Sequence, residues 1–200
     1  MLKYLNTFLL INISTKIFKM NKVKLIKLAK EAIASELSEK KIRIPDDKFL
    51  KEKRGVFVTL TKQGELRGCI GFPYPLLPLG EAIVQAAKSA AFSDPRFPPL
   101  SEKEFPEIKI EISVLSLPEK IEAKPDNIEI GEDGLMCEYE GFGGLLLPQV
   151  ATEYNWGAEQ FLRALCQKAG LPLESWQKKG FKLWKFQAKI MNEEKTMEEK

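Results

Sequence analysis

In the run Leu66-Arg67-Gly68-Cys69-Ile70-Gly71 an arginine and a cysteine stand two residues apart, set among glycines. Side chains alternate along a strand, so Arg67 and Cys69 are expected to point one way, with Leu66 and Ile70 opposite. Two chemistries are open to such a pair. The arginine fork can bind a carboxylate or phosphate through two parallel hydrogen bonds, which lysine cannot copy. A thiol becomes a nucleophile when a cation, a helix N-terminus or a base lowers its pKa, and Arg67 would be that cation. Gly68 and Gly71 leave room for a ligand or a second backbone to come close. Each side chain also has a plainer role. Cys69 would then be a small buried hydrophobe, and Arg67 the ion-pair partner of Glu65, Asp94 or Glu111. Replacement of Arg67 by lysine separates the two, since only a buried pair makes the change costly in stability.

Four further residues are candidates to join them. Asp94 and Arg96 flank Pro95 in the proline-set loop Ser93-Asp94-Pro95-Arg96-Phe97-Pro98-Pro99. That loop either closes on its own salt bridge or walls a pocket at Arg67 and Cys69. Glu111 falls on the polar face of an alternating strand, as a general base or as solvated surface. Gln149, after Pro148, offers its amide to a ligand or to the backbone of its loop. The glycines at 141, 143 and 144 lack the phosphate-loop pattern and its strand-to-helix setting, so turn chemistry explains them. Trp156, Trp176 and Trp184 sit beside helix and strand stripes, which favours packing over base stacking.

The composition narrows the chemistry. The 200 residues contain no histidine, which removes Ser-His-Asp and Cys-His catalysis and any imidazole metal site. Cys69, Cys137 and Cys166 are far apart and odd in number, so neither a zinc site nor a disulfide framework is expected. No metal and no cofactor is implied. Reduced thiols point to the cytoplasm. A net charge of +3 gives little pull toward nucleic acid, which the lysine-rich stretch at 22–30 alone would support. Five arginines stand against twenty-six lysines, and this Lys/Glu-rich balance is compatible with a thermophile.

The elements that position these residues follow from the apolar periodicity. Residues 1–20 hold a short apolar run, Phe8 to Ile13 broken by Asn12, far below the roughly 20 residues of a membrane span. They read as an N-terminal extension ahead of Met20, either an add-on or the product of a start placed too far upstream. From Asn21 a helical stripe runs through Leu25, Leu28, Ala29, Ala32, Ile33 and Leu37. Arg54 to Thr61 and Leu66 to Phe72 form a hairpin about Gln63-Gly64. Leu79, Ala82, Ile83, Ala86, Ala87, Ala90 and Ala91 make an unbroken helical stripe. Ile108, Ile110, Ile112 and Val114 alternate on a strand with one buried face. A meander is expected over 128–147 with a turn at Asp133-Gly134, then a helix from about Gly157 to Ala169. Phe181 to Ile190 closes the chain as a strand with Trp184, Phe186, Ala188 and Ile190 on one face. One domain over 21–192 is expected, followed by a charged tail at 193–200.

In these residues the chain resembles the AMMECR family. The hexapeptide Leu66–Gly71 matches that family's signature, and the resemblance continues through Phe72-Pro73, Asp94–Pro99, the strand at 110–115 and Gly144–Gln149. It covers about residues 22–190. It implies an α+β fold with a barrel-like, largely antiparallel sheet flanked by helices, in two related strand-and-helix halves. The strand-then-helix order of 54–91 and its return over 108–169 agree with that. Members of the family are associated with Memo-like and radical-SAM proteins, which are thereby candidate partners. No biochemical activity comes with the resemblance, and whether the chain is an enzyme stays open.

Two functional expectations stand side by side. In the first, a cleft at Arg67 and Cys69 binds a small anionic ligand, with Gly68, Gly71, Asp94, Arg96, Glu111 and Gln149 around it and Cys69 as the catalytic candidate. In the second, the hexapeptide is an architectural hairpin in a scaffold that recognises another protein. Nucleic-acid binding is the weaker third, and a membrane partner is not expected.

Overall fold

The computed structural model describes residues 22–193. The chain divides into two compact units, one running to Ser113 and resuming at Ile190, the other spanning Val114–Lys189. The expected α+β class holds, with an antiparallel hairpin and helices in each unit. The extension expected at residues 1–20 lies outside the described residues.

In the first unit, helix α1 (22–37) buries Leu25, Leu28, Ala29, Ala32 and Ile33 along the stripe that its 3.6-residue period sets. Its lysines are not a bare cationic face. Lys24 pairs with Asp47 and Lys30 with Glu193, both at 2.7 Å. Strands β1 (Val56–Lys62) and β2 (Glu65–Phe72) form the expected hairpin. Gln63 and Gly64 both take positive φ, the two-residue turn whose twist matches that of the flanking strands. Val56, Val58 and Leu60 face the core.

Helix α2 (Leu79–Phe92) buries every residue of its predicted stripe. Full burial of Leu79 and Ile83 is worth roughly 1.5–3 kcal/mol each. It ends just ahead of Asp94-Pro95, because the residue before a proline is driven out of helical conformation. Its alanines bring its backbone hard against β2. A Cβ added at Gly68 would lie 2.1 Å from the Ala90 carbonyl oxygen. Strand β3 (Ile108–Leu115) keeps Ile108, Ile110 and Ile112 buried and Lys109 exposed, as its alternation predicts. The strand order in this unit is β2-β1-β3, and β2 is the edge. The chain returns beside β3 at Glu193, whose N–H donates to the Ile110 carbonyl at 3.4 Å. So the expected charged tail begins with an anchored residue.

In the second unit, the short β4 (Glu119–Ile121) precedes the hairpin of β5 (Asp133–Tyr139) and β6 (Phe142–Leu146). Glu140 and Gly141 close it with positive φ, repeating the turn of the first unit. Asp133-Gly134 is not the turn that the sequence predicts. Gly131, at φ +90°, takes that role, and Asp133 and Gly134 are buried at the start of β5. Helices α3 (Pro148–Glu153) and α4 (Ala158–Lys168) follow, and α4 meets a core of Leu135, Cys137, Phe161, Leu162 and Leu165. Strand β7 (Lys182–Asn192) buries Phe186 of its expected face but departs from that face toward both ends. Leu183 joins the second unit's core, whereas Ile190, past the unit boundary, is exposed and Met191 is buried.

Candidate functional site

The hexapeptide lies on β2, and its pairing with β1 contains an irregularity that re-aims it. Thr59 opposes Cys69, Leu60 opposes Gly68, and Thr61 opposes Leu66, which leaves Arg67 as an extra, bulged residue. The expectation that Leu66 lies on the face opposite Cys69 is therefore corrected. The bulge turns it to the outer side with Thr61, and it is 43% exposed. Arg67 is carried under the following loop and is only 9% exposed.

There its fork is engaged. Nε and Nη2 donate to the two carboxylate oxygens of Glu104 at 2.8 and 3.1 Å, and Nη2 also donates to the Pro98 carbonyl at 2.9 Å. The Phe97 ring centre lies 5.8 Å from the guanidinium carbon. Arg67 holds the Glu104 carboxyl below its ordinary pKa, with Lys62 adding its charge from 3.6 Å. The partner is thus Glu104 rather than Glu65, Asp94 or Glu111. The sequence carries no signal for it, since Ser101–Glu104 is a polar stretch without periodicity.

Asp94 and Arg96 close the edge of β2. The Asp94 carboxylate is almost wholly buried and accepts the Cys69 N–H at 2.9 Å. It also accepts from the Arg96 N–H, Nε and Nη2 at 3.1, 2.9 and 2.7 Å. The Arg96 Nη2 reaches the Cys69 carbonyl at 3.3 Å. One ion pair thereby supplies the acceptor and the donor that a neighbouring strand would offer. The Arg96 guanidinium holds the Asp94 carboxyl well below the usual carboxylate range. Both glycines are fixed by contacts. Gly68 admits the α2 backbone, and a Cβ on Gly71 would strike the Phe57 ring at 2.3 Å.

What the hexapeptide leaves open is the Cys69 side chain. Its thiol lies half-buried on the outer face, 3.2 Å from the Thr59 hydroxyl. Cys137 and Cys166 are core residues of the second unit, and burial pushes the Cys137 thiol up to about 11 and the Cys166 thiol above its ordinary value.

One strand further, a cavity of about 280 Å³ opens beside Thr59 and Thr61, with Lys109, Ile110, Glu111, Asn192 and Glu193 as its other walls. Glu111 is half-buried there. Among the described residues its carboxylate has no ion pair or hydrogen bond, and burial alone raises its pKa. Arg67 does not line this cavity. Gln149 lies in the second unit, on α3, where its carbonyl accepts the Thr152 hydroxyl at 2.8 Å. So the structure gathers Arg67, Gly68, Cys69, Asp94 and Arg96 into one interlocked assembly, with Thr59 between Cys69 and the Glu111 cavity. Thr59, Thr61 and Lys109 escaped the sequence reading, although their place on the polar faces of β1 and β3 was the available signal.

The second unit has its own cavity of about 300 Å³, with Asp133 against Lys185 at 3.3 Å in its wall. Among the described residues no three His, Cys, Asp or Glu side chains gather as a metal site needs, and no helix is long and apolar enough to cross a membrane.

Known proteins bear directly on this arrangement. The AMMECR1 family model matches residues 26–191. A protein of Methanothermobacter thermautotrophicus is 47% identical over 178 residues, covering 85% of this chain and 93% of its own length. One from Pyrococcus furiosus is 47% identical over 182 residues, covering 85% and 87%. The crystal structure of an uncharacterised protein from Pyrococcus horikoshii is similar with a TM-score of 0.76 and 46% identity, over 85% of this chain and 90% of that one. Such relatives come from thermophiles, in keeping with the Lys/Glu-rich composition, and none of their names states an activity. A family model that spans the described chain almost from end to end, with relatives this similar, leaves one conclusion: the chain belongs to the AMMECR1 family.

Proposed function

We propose that the protein binds a small polar molecule in the cavity over Thr59, Thr61 and Glu111, and that the hexapeptide builds the adjoining wall. The observation that carries this is Glu111. A carboxyl that gives up water without gaining a partner costs stability, and such groups concentrate where a ligand supplies the missing interaction. Arg67 and Asp94 support the site at one remove, by fixing the strand that holds Cys69 opposite Thr59. Binding, rather than a reaction, is the reading in favour, because among the described residues the Cys69 thiol has only the Thr59 hydroxyl as a hydrogen-bond partner, and Asp94 and Arg96 engage the Cys69 backbone. Its free cysteines favour the cytoplasm as the place where the protein works.

A thermal-shift screen of soluble metabolites, run on the natural protein and on Glu111→Gln, tests this. A compound that stabilises the first and not the second is the expected result. Stabilisation that survives Glu111→Gln unchanged for every hit would place the ligand elsewhere.

A second reading draws on Tyr74 and Leu76, both exposed in the proline-rich exit from β2. In it, that loop docks a protein partner, of the Memo-like or radical-SAM kind that the resemblance implies. Leu76→Asp should then abolish capture of such a partner without changing the melting temperature. Capture that persists would remove this reading.

A further inference from the structure

We infer that the molecule held in this cavity is a zwitterion of the free α-amino-acid kind, its carboxylate taken by Lys109 and its ammonium by Glu111. The inference rests on the reading of the cavity as a ligand site and adds the ligand's class.

Lys109 and Glu111 stand two residues apart on β3, so the pleat turns both to the outer face with about 7 Å between their Cα atoms. They carry opposite charges, yet no salt bridge joins them. Neither has an ion pair or side-chain hydrogen bond elsewhere among the described residues. Two unpaired charges of opposite sign on one cavity wall are poorly matched to a simple ion. An amine that satisfied Glu111 would face the Lys109 ammonium, and a carboxylate that satisfied Lys109 would face Glu111. A molecule that carries both groups on one carbon meets each.

The remaining carboxylate of the wall is already spent. Glu193 accepts the Ile110 N–H on Oε1 at 2.9 Å and the Lys30 ammonium on Oε2 at 2.7 Å. Lys30 neutralises it, so the open wall carries one positive and one negative group. Across from them, Thr59 and Thr61 present hydroxyls that can donate to a carboxylate or accept from an ammonium. The Asn192 amide offers the same choice. The volume of about 280 Å³ falls at the small end of ligand pockets, which suits one amino acid and not a nucleotide. The elevated pKa of Glu111 agrees, since a ligand ammonium supplies the counter-charge that the protein withholds.

Titration calorimetry on the full chain tests this, with the common L-amino acids as probes and L-leucine, isoamylamine and N-acetyl-L-leucine as a matched series. At least one free amino acid should bind. Removing either charge should weaken binding about tenfold or more, the size of a lost charged hydrogen bond. In Glu111→Gln the penalty for acetylating the amine should vanish, and in Lys109→Met the penalty for losing the carboxylate. If a variant does not fold, the series on the natural protein decides alone. Equal binding of an amino acid and one of its singly charged analogues overturns the inference. So does failure of all amino acids when some other metabolite gives a Glu111-dependent stabilisation, and in that case the ligand site itself still stands. If no compound of either kind responds to Glu111→Gln, both fall together.

Discussion

Asp94 holds Cys69 by its backbone: the buried carboxylate accepts the Cys69 N–H at 2.9 Å, while its ion-pair partner Arg96 donates to the Cys69 carbonyl. A strand edge is thus completed by two side chains of a proline-set loop. The rarest-looking stretch of the chain is held by this clamp on one side and by α2 on the other.

Asp94→Asn keeps the shape and removes the charge, so it should lower stability at neutral pH by about 2–4 kcal/mol. The pH dependence has a definite sign. The folded pKa of Asp94 is depressed, so its stabilisation is complete above the ordinary carboxylate pKa of about 4 and is lost as pH falls through the lower folded value. Urea denaturation from pH 7 down to pH 3 should show a shallower acid slope in the variant. Equal neutral stability would argue that the clamp is ornamental.

Arg67→Lys separates a structural from a ligand-binding arginine. With two donors on Glu104 and one shared with Pro98, the fork geometry matters, and a lysine point charge cannot reproduce it. A loss of about 1–3 kcal/mol is expected, with much of it shared with Glu104→Gln in a double-mutant cycle. Additive effects of the two substitutions would mean that the pair is not coupled.

Gly68 and Gly64 give opposite tests of the same hairpin. Gly64 sits at φ +90° with nothing near its missing Cβ, so Gly64→Ala meets only backbone strain of about 1–2 kcal/mol. Gly68→Ala drives a methyl group into the Ala90 carbonyl and should cost more than that or abolish folding. Melting temperatures rank the two. The reverse order would contradict the close approach of α2 to β2.

Glu111 titrates with the opposite sign to Asp94. Its folded pKa is raised, so stability is fully present below the ordinary glutamate value of about 4.3 and is lost as pH rises through the folded one. Without ligand, Glu111→Gln should be more stable than the natural protein near neutral pH and equal to it in acid. A variant that is less stable at pH 7 would show that Glu111 has a partner within the fold.

Where the sequence pattern follows from burial alone, it was legible. The α2 stripe and the β3 alternation are read directly, because one buried face imposes its period on the residues. The first hairpin turn at Gln63-Gly64 is read from chemistry that only a few residues satisfy. What escaped depends on register and on long-range partners. The bulge at Arg67 changes which face Leu66 occupies, and nothing in the residue types marks an extra residue. Glu104 finds Arg67 across 37 positions from a segment with no pattern of its own. The same limit applies to Lys109, whose importance rests on having no side-chain partner among the described residues.

The most direct measurement is an amide-shift map by ¹⁵N–¹H NMR, made with the first compound that stabilises the protein. The expected result is movement at Thr59, Thr61, Ile110 and Glu111 with Arg67 and Pro98–Glu104 silent. Movement centred on Arg67 and Glu104, with Glu111 unmoved, would contradict the assignment of the hexapeptide as wall and of the Glu111 cavity as the binding site.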